Sequence, residues 1–162
     1  MYLCLMRHGK AEPFQLNQED KLRELTEEGC KQVASMARWA SSWWPEGTVS
    51  LWASPYIRTC QTASYLEKYL PIQKFHTHEA IASGSLVSVY DEILSRDPSD
   101  VLCIVGHSPF LERWTQAWGA PIDFQTGSLA LFDFDLHGGR IGSASLLLYA
   151  QPKALALLRA FS

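Results

Sequence analysis

The 162-residue sequence has no run of basic residues, no closely spaced pair of cysteines and no apolar stretch of membrane-spanning length. Each absence excludes something. Nucleic-acid backbones are bound by clustered Lys and Arg, whereas this chain carries a net charge of −3, so any anion site must be local. Cys4, Cys30, Cys60 and Cys103 make neither a CxxC pair nor a zinc spacing. Cys4 and Cys103 sit in apolar runs, where cysteine behaves as a small buried hydrophobe. Reduced thiols and an opening run too short for a signal peptide point to the cytoplasm. No nucleic-acid or membrane partner is expected. Repeats, linkers and low-complexity segments are also missing, so residues 1–162 are expected to form one domain with a real core.

What is present is an alternation of strand and helix. Residues 2–6, Tyr-Leu-Cys-Leu-Met, read as a short buried strand. After an irregular polar loop over residues 10–25, a helix is expected from Thr26 to Trp44. Thr26 is its N-cap, Glu27 and Glu28 fill the first turn, and Val33, Met36, Ala37 and Ala40 repeat at helical spacing. A strand before Ser54-Pro55, a helix over 56–70, a short strand near Lys74–Ile81 and a helix over Leu86–Leu94 follow. Asp100–His107 is the clearest buried strand, and a helix starts near Pro109. Two further strands flank a turn at His137-Gly138-Gly139, a hairpin pattern, and a short helix closes the chain. This alternation predicts a three-layer α/β sandwich with a mostly parallel central sheet flanked by helices.

In such sheets, ligands bind beyond the carboxyl ends of the strands. Three polar clusters fall there: Arg7-His8-Gly9, Ser54-Pro55 with Arg58, and Gly106-His107-Ser108. Arginine presents a planar fork of donors suited to phosphoryl oxygens. Imidazole serves as nucleophile, acid or base near neutrality. Helix starts near Pro55 and Ser108 add N–H donors, and Gly9 is expected to let the backbone approach a ligand. The set favours a tetrahedral oxyanion.

The same residues resemble the histidine phosphatase superfamily. LMRHGKAE is similar to its RHG signature, SPYIRTCQTA to its SPxxRxxQTA block, and VGHSP to the strand end bearing its second histidine. The blocks occur in the family's order between residue 1 and about residue 110. The resemblance implies a phosphoglycerate mutase-like fold and a hydrolase that forms a phosphohistidine enzyme intermediate without metal or other cofactor. It implies His8 as nucleophile, Arg7 and Arg58 as phosphoryl clamps, His107 as donor to the transferring group and Ser108 as an adjoining contact. The short chain and LRELTEEG, similar to an RxLTxxG segment, point to the compact SixA-type phosphohistidine phosphatases and make Arg23 a further phosphate or substrate contact. Many members protonate the leaving group with an acid after the third strand; Glu79 is the only carboxylate near and stands as the candidate. The implied substrate is a protein phosphohistidine, for example on a histidine-containing phosphotransfer partner, with a small phosphate ester or phosphoramidate as the alternative.

Other readings compete. GHSPF looks like a serine-hydrolase elbow at Ser108, with Asp123, Asp133 and His137 in triad order, but Phe110 stands where a small residue is wanted and Arg7-His8 is left idle. No cysteine is followed six residues later by arginine, which removes a cysteine phosphatase. A phosphate- or phosphoprotein-binding module without catalysis is the third reading. His76 and His78 lie two apart on one strand face but lack a third metal ligand; with His137 they are expected to be exposed and idle.

Overall fold

The structure is a computed structural model that describes residues 1–158. Its strands are β1 (Tyr2–Arg7), β2 (Val49–Ala53), β3 (Lys74–Thr77), β4 (Val101–Gly106), β5 (Leu129–Asp135) and β6 (Ser143–Ala150). They form one sheet in the order β3-β2-β4-β1-β5-β6. The first four are parallel, and the β5–β6 hairpin adds two antiparallel strands beside β1. The helices are α1 (Glu27–Ser41), α2 (Ile57–Tyr69), α3 (Glu79–Ser83), α4 (Leu86–Val89), α5 (Phe110–Ala117) and α6 (Pro152–Leu157). The expected three-layer, mostly parallel α/β architecture is the one observed.

Side-chain parity divides the core. Successive strand residues face opposite sides of a sheet, so Cys4 and Met6 of β1 pack with α1, α2 and α6, while Leu3 and Leu5 pack with α3, the 89–94 segment and α5. β4 divides in the same way, with Cys103 and Val105 on one face and Leu102 and Ile104 on the other. Burial on both faces is why these strands read as unbroken apolar runs.

Helix α1 starts as expected: the Thr26 hydroxyl accepts a hydrogen bond from Gly29 N–H at 2.9 Å. It ends three residues before Trp44, because the Ser41 and Ser42 hydroxyls bond back to the carbonyls of Arg38 and Trp39, a competition that weakens helical turns. The strand expected to reach Ile81 stops at Thr77, where His78 caps α3 by accepting from Ala80 N–H at 3.0 Å. The helix expected over 86–94 is α4 continued by one π-helical turn over Tyr90–Leu94.

This topology fixes where a ligand can bind. β1 and β4 are adjacent and in register, with Arg7 opposite Gly106. The chain leaves β1 toward α1 on one face and leaves β4 toward α5 on the other. A crevice opens where neighbouring strands send their connections apart, here beyond Arg7 and Gly106.

The segment leaving β1 lies against the start of α1. A Cβ on Gly29 would stand 2.0 Å from the Lys10 carbonyl oxygen, backbone that cannot yield cheaply. Gly29→Ala is therefore predicted to destabilise the fold by about 2 kcal/mol or more, the scale of overpacking, read as a lower urea midpoint. An unchanged midpoint contradicts that packing.

Candidate active site

The crevice holds a cavity of about 500 Å³ whose lining includes Arg7, His8, Arg23, Arg58, His107 and Ser108. Six of the eight residues singled out in the sequence thus meet in one place.

Parity places the first two. His8 follows Cys4 and Met6 toward the α1–α2 layer, where Arg58 in the first turn of α2 donates from Nε to His8 Nε2 at 3.3 Å. Arg7 follows Leu3 and Leu5 to the other face, and its guanidinium donates to the Phe124 carbonyl at 2.8 Å. The Arg7 Nε is buried with no hydrogen-bond partner. A buried donor left unpaired is costly, so this atom is suited to an incoming anion.

His8 is 8% exposed. Its Nδ1–H donates to the Gly9 carbonyl at 2.7 Å, since a carbonyl can only accept. That bond fixes the tautomer and leaves a lone pair on Nε2 toward the cavity. Burial, foremost, pulls the imidazole pKa from 6.5 to about 3; His107, Arg58 and Arg7 push the same way against the Gly9 bond.

His107 is 6% exposed and shares a 2.8 Å hydrogen bond between Nε2 and the Ser54 hydroxyl. Its ring lies edge-on to His8, centroids 5.4 Å apart, and to Tyr56 at 4.9 Å. Burial, then Arg58, lowers its pKa to about 4. Both histidines are therefore neutral near pH 7.

Cationic charge is held by a small network. Arg58, 5% exposed, donates to the Asp20 carbonyl at 2.8 Å and carboxylate at 3.0 Å, and lies over the Tyr56 ring at 5.0 Å. Arg23 Nε donates to the other Asp20 oxygen at 2.7 Å, and a terminal nitrogen donates to the Glu12 carbonyl. Burial pushes the Asp20 carboxyl up, but the bonds from Arg23 and Arg58 outweigh it and hold the group below its usual range. Burial likewise pulls the Arg7 guanidinium down, against the attraction of Glu112 and Asp123. With Lys10 at the rim, four cationic side chains and one carboxylate line the cavity.

Two expectations need correction. Gly9 does not line the cavity. A Cβ there would meet Gly29 O and Val33 Cγ1, both at 2.8 Å, so its small size serves the fit against α1, and its carbonyl holds His8. Glu79 is exposed at the start of α3, and it is Ala82, one turn further along, that reaches the cavity wall. No carboxylate other than Asp20 is part of the lining among the described residues.

The rival serine site does not assemble either. Ser108 Oγ donates to Glu112 at 2.6 Å, and among the described residues no histidine bonds to it. His78 is not idle: besides capping α3 it pairs with Glu92 at 2.8 Å. No group of three or more metal-ligating side chains is found among the described residues. Asp20 and Tyr56 also line the cavity and were not singled out in the sequence; only the proximity of Asp20 to Arg23 and of Tyr56 to Arg58 hinted at them.

Comparison with known proteins identifies the family and the fold. The family model for the histidine phosphatase superfamily (branch 1) matches residues 3–85, just over half of the chain. The chain belongs to the histidine phosphatase superfamily. A search of curated proteins finds no match. Among solved structures it resembles the protein histidine phosphatase SixA complexed with tungstate, at 23% identity and a TM-score of 0.81, over 96% of this chain and 99% of that one. A SixA structure from Agrobacterium tumefaciens matches at 21% identity and TM-score 0.78, over 93% and 97% of the two chains. One from Nakamurella multipartitia matches at 19% and 0.76, over 93% and 95%. These likenesses establish a shared phosphoglycerate mutase-like fold.

The histidine environments predict a pH dependence. An unfolded histidine protonates near pH 6.5, whereas His8 and His107 resist protonation to about 3 and 4. Between those limits the unfolded chain binds more protons than the folded one, so stability falls as pH drops from about 6.5 toward 4. Side-chain NMR is expected to show both rings neutral at pH 5. A ring that titrates near its ordinary value would overturn this description.

Proposed function

We propose that the protein is a phosphohydrolase that transfers a phosphoryl group to His8 Nε2 and then to water, and that its substrate is a phosphohistidine on a protein. The observation that carries the reading is His8 itself: buried, neutral, tautomer-fixed, and facing Arg7, Arg58 and His107 across one cavity.

The chemistry follows from the groups present. Phosphoryl transfer depends on positioning and on charge that matches the equatorial oxygens. Arg7 brings an unpartnered Nε to that charge. Arg58 surrenders its Nε–H from His8 to a phosphoryl oxygen, which frees the Nε2 lone pair for in-line attack. His107, anchored to Ser54 through Nε2, offers its other ring nitrogen to the transferring group. The new P–N bond forms on Nε2 as the substrate's bond to phosphorus breaks, and the leaving group keeps the electron pair. Water then cleaves the enzyme's phosphohistidine, releasing phosphate and restoring His8.

Two features support a protein phosphohistidine over an ester. The one carboxylate in the lining, Asp20, is engaged by two arginines, and cleaving phosphorus from a protonated imidazole asks less of a general acid than cleaving an alkoxide. The segment that contributes Lys10, Asp20 and Arg23 also exposes Phe14, Leu16 and Leu22, with Leu16 98% exposed; such side chains suit contact with a protein surface.

The test is turnover of phosphoramidate, p-nitrophenyl phosphate and a phosphohistidine-bearing carrier protein in EDTA. Activity is expected on all three, with the carrier preferred by kcat/KM. His8→Ala is predicted to abolish it, and Arg58→Ala to lower kcat by about 10²-fold, the cost of one preorganised donor. Phosphate binding without turnover favours a binding module, and turnover that survives His8→Ala refutes the mechanism.

A further inference from the structure

Glu112, on the first turn of α5, bonds to Ser108 of the cavity lining and belongs to none of the blocks that carry the family resemblance. Its Oε1 accepts two hydrogen bonds, from Ser108 Oγ at 2.6 Å and from Phe124 N–H at 3.1 Å. The Phe124 carbonyl is the acceptor that holds the Arg7 guanidinium at 2.8 Å. The Phe124 side chain is 1% exposed, and Tyr149 packs edge-on against it while its hydroxyl donates to the Asp123 carbonyl at 3.0 Å. One carboxylate oxygen thus ties together the turn after β4 and the segment that grips Arg7.

The other oxygen, Oε2, is buried and has no partner. Arg7 Nε, of opposite charge, is also buried and unpartnered. The two side chains do not form an ion pair, yet Glu112 is the foremost attractive charge on Arg7. A buried carboxylate with an idle oxygen costs stability, and a surface role does not account for it. Its placement does: Oε1 fixes the peptide that orients Arg7, and Arg7 keeps a donor uncommitted for an anion.

We propose that Glu112 is a positioning residue for the anion site: through Phe124 it sets the direction of the Arg7 guanidinium, and through Ser108 it holds the adjoining wall. The inference rests on the reading of the cavity as a phosphoryl site. Glu112 touches no reacting atom; its effect on binding passes through Arg7.

The hydrogen bonds and the charge can be separated by two conservative variants. Glu112→Gln keeps an oxygen in place for Ser108 and Phe124 but removes the charge. Glu112→Asp keeps the charge but withdraws the oxygen by one methylene. Inorganic phosphate is the probe, titrated calorimetrically against full-length protein, with thermal unfolding to confirm that each variant folds. Glu112→Asp is expected to weaken phosphate binding about tenfold, the scale of a lost hydrogen bond to a charged group, and Glu112→Gln to stay within about threefold of wild type. In an Arg7→Ala background, Glu112→Asp is expected to have less than about a twofold further effect, the non-additivity of two residues acting as one unit.

The reverse order, with Gln weak and Asp unaffected, overturns the clamp. So does an equal loss with and without Arg7, which marks a general structural role. Phosphate binding untouched by both variants refutes the inference and leaves the phosphoryl site standing. If wild type binds no phosphate, the phosphoryl-site reading fails and the inference with it.

Discussion

Parallel pairing of β1 with β4, with Arg7 level with Gly106, is the constraint on which the site depends. Two histidines separated by 99 positions in the sequence become neighbours because each follows one of these strand ends. The pairing is secured far from the chemistry. β1 and β4 are buried on both faces, and their alternate side chains anchor two separate helical layers. A slip of one residue would exchange those faces for every side chain and turn His8 away from Arg58. The apolar core thus specifies polar geometry that the polar residues cannot specify alone.

Burial also sets the electrostatics. Desolvation is the main cause that disfavours the protonated forms of His8 and His107, and the arginines around the cavity add to it. The Gly9 carbonyl opposes the effect on His8 alone. The result is an uncharged imidazole in a cationic site, its Nε2 accepting from Arg58, the state from which the proposed attack starts. Asp20 answers part of the cationic charge, holding Arg23 and Arg58 side by side without entering the histidine pair.

The fold was legible in the sequence where local rules govern. Unbroken apolar strands, the Thr26 cap and the glycine-containing hairpin turn each encode their element over a few residues. Boundaries went astray where a side chain near the expected end competed for backbone groups, as when Ser41 and Ser42 bond back to α1, or when His78 caps α3 and ends a strand early. At the site, Arg7, His8, Arg58 and His107 stood out because strand ends in a parallel sheet share a rim. Asp20 and Glu112 did not: each acts through contacts distant in the chain, 38 residues to Arg58 and 12 to Phe124, and an acid in a polar loop or helix turn has no local mark. Glu79 misled for the opposite reason. Its place in the chain was suggestive, but α3 begins there and directs Ala82, three residues on, toward the cavity. Gly9 was read as room for a ligand, whereas the room is taken by α1.

The central claim is that His8 carries the phosphoryl group between substrate and water. The most direct measurement is to mix the protein with phosphoramidate, quench in alkali where phosphohistidine survives, and locate the modification by mass spectrometry. The account predicts a phosphoryl group on the peptide that contains His8, formed during turnover and absent from His8→Ala. A phosphoryl group found on any other residue, or steady turnover with none on His8, would contradict it.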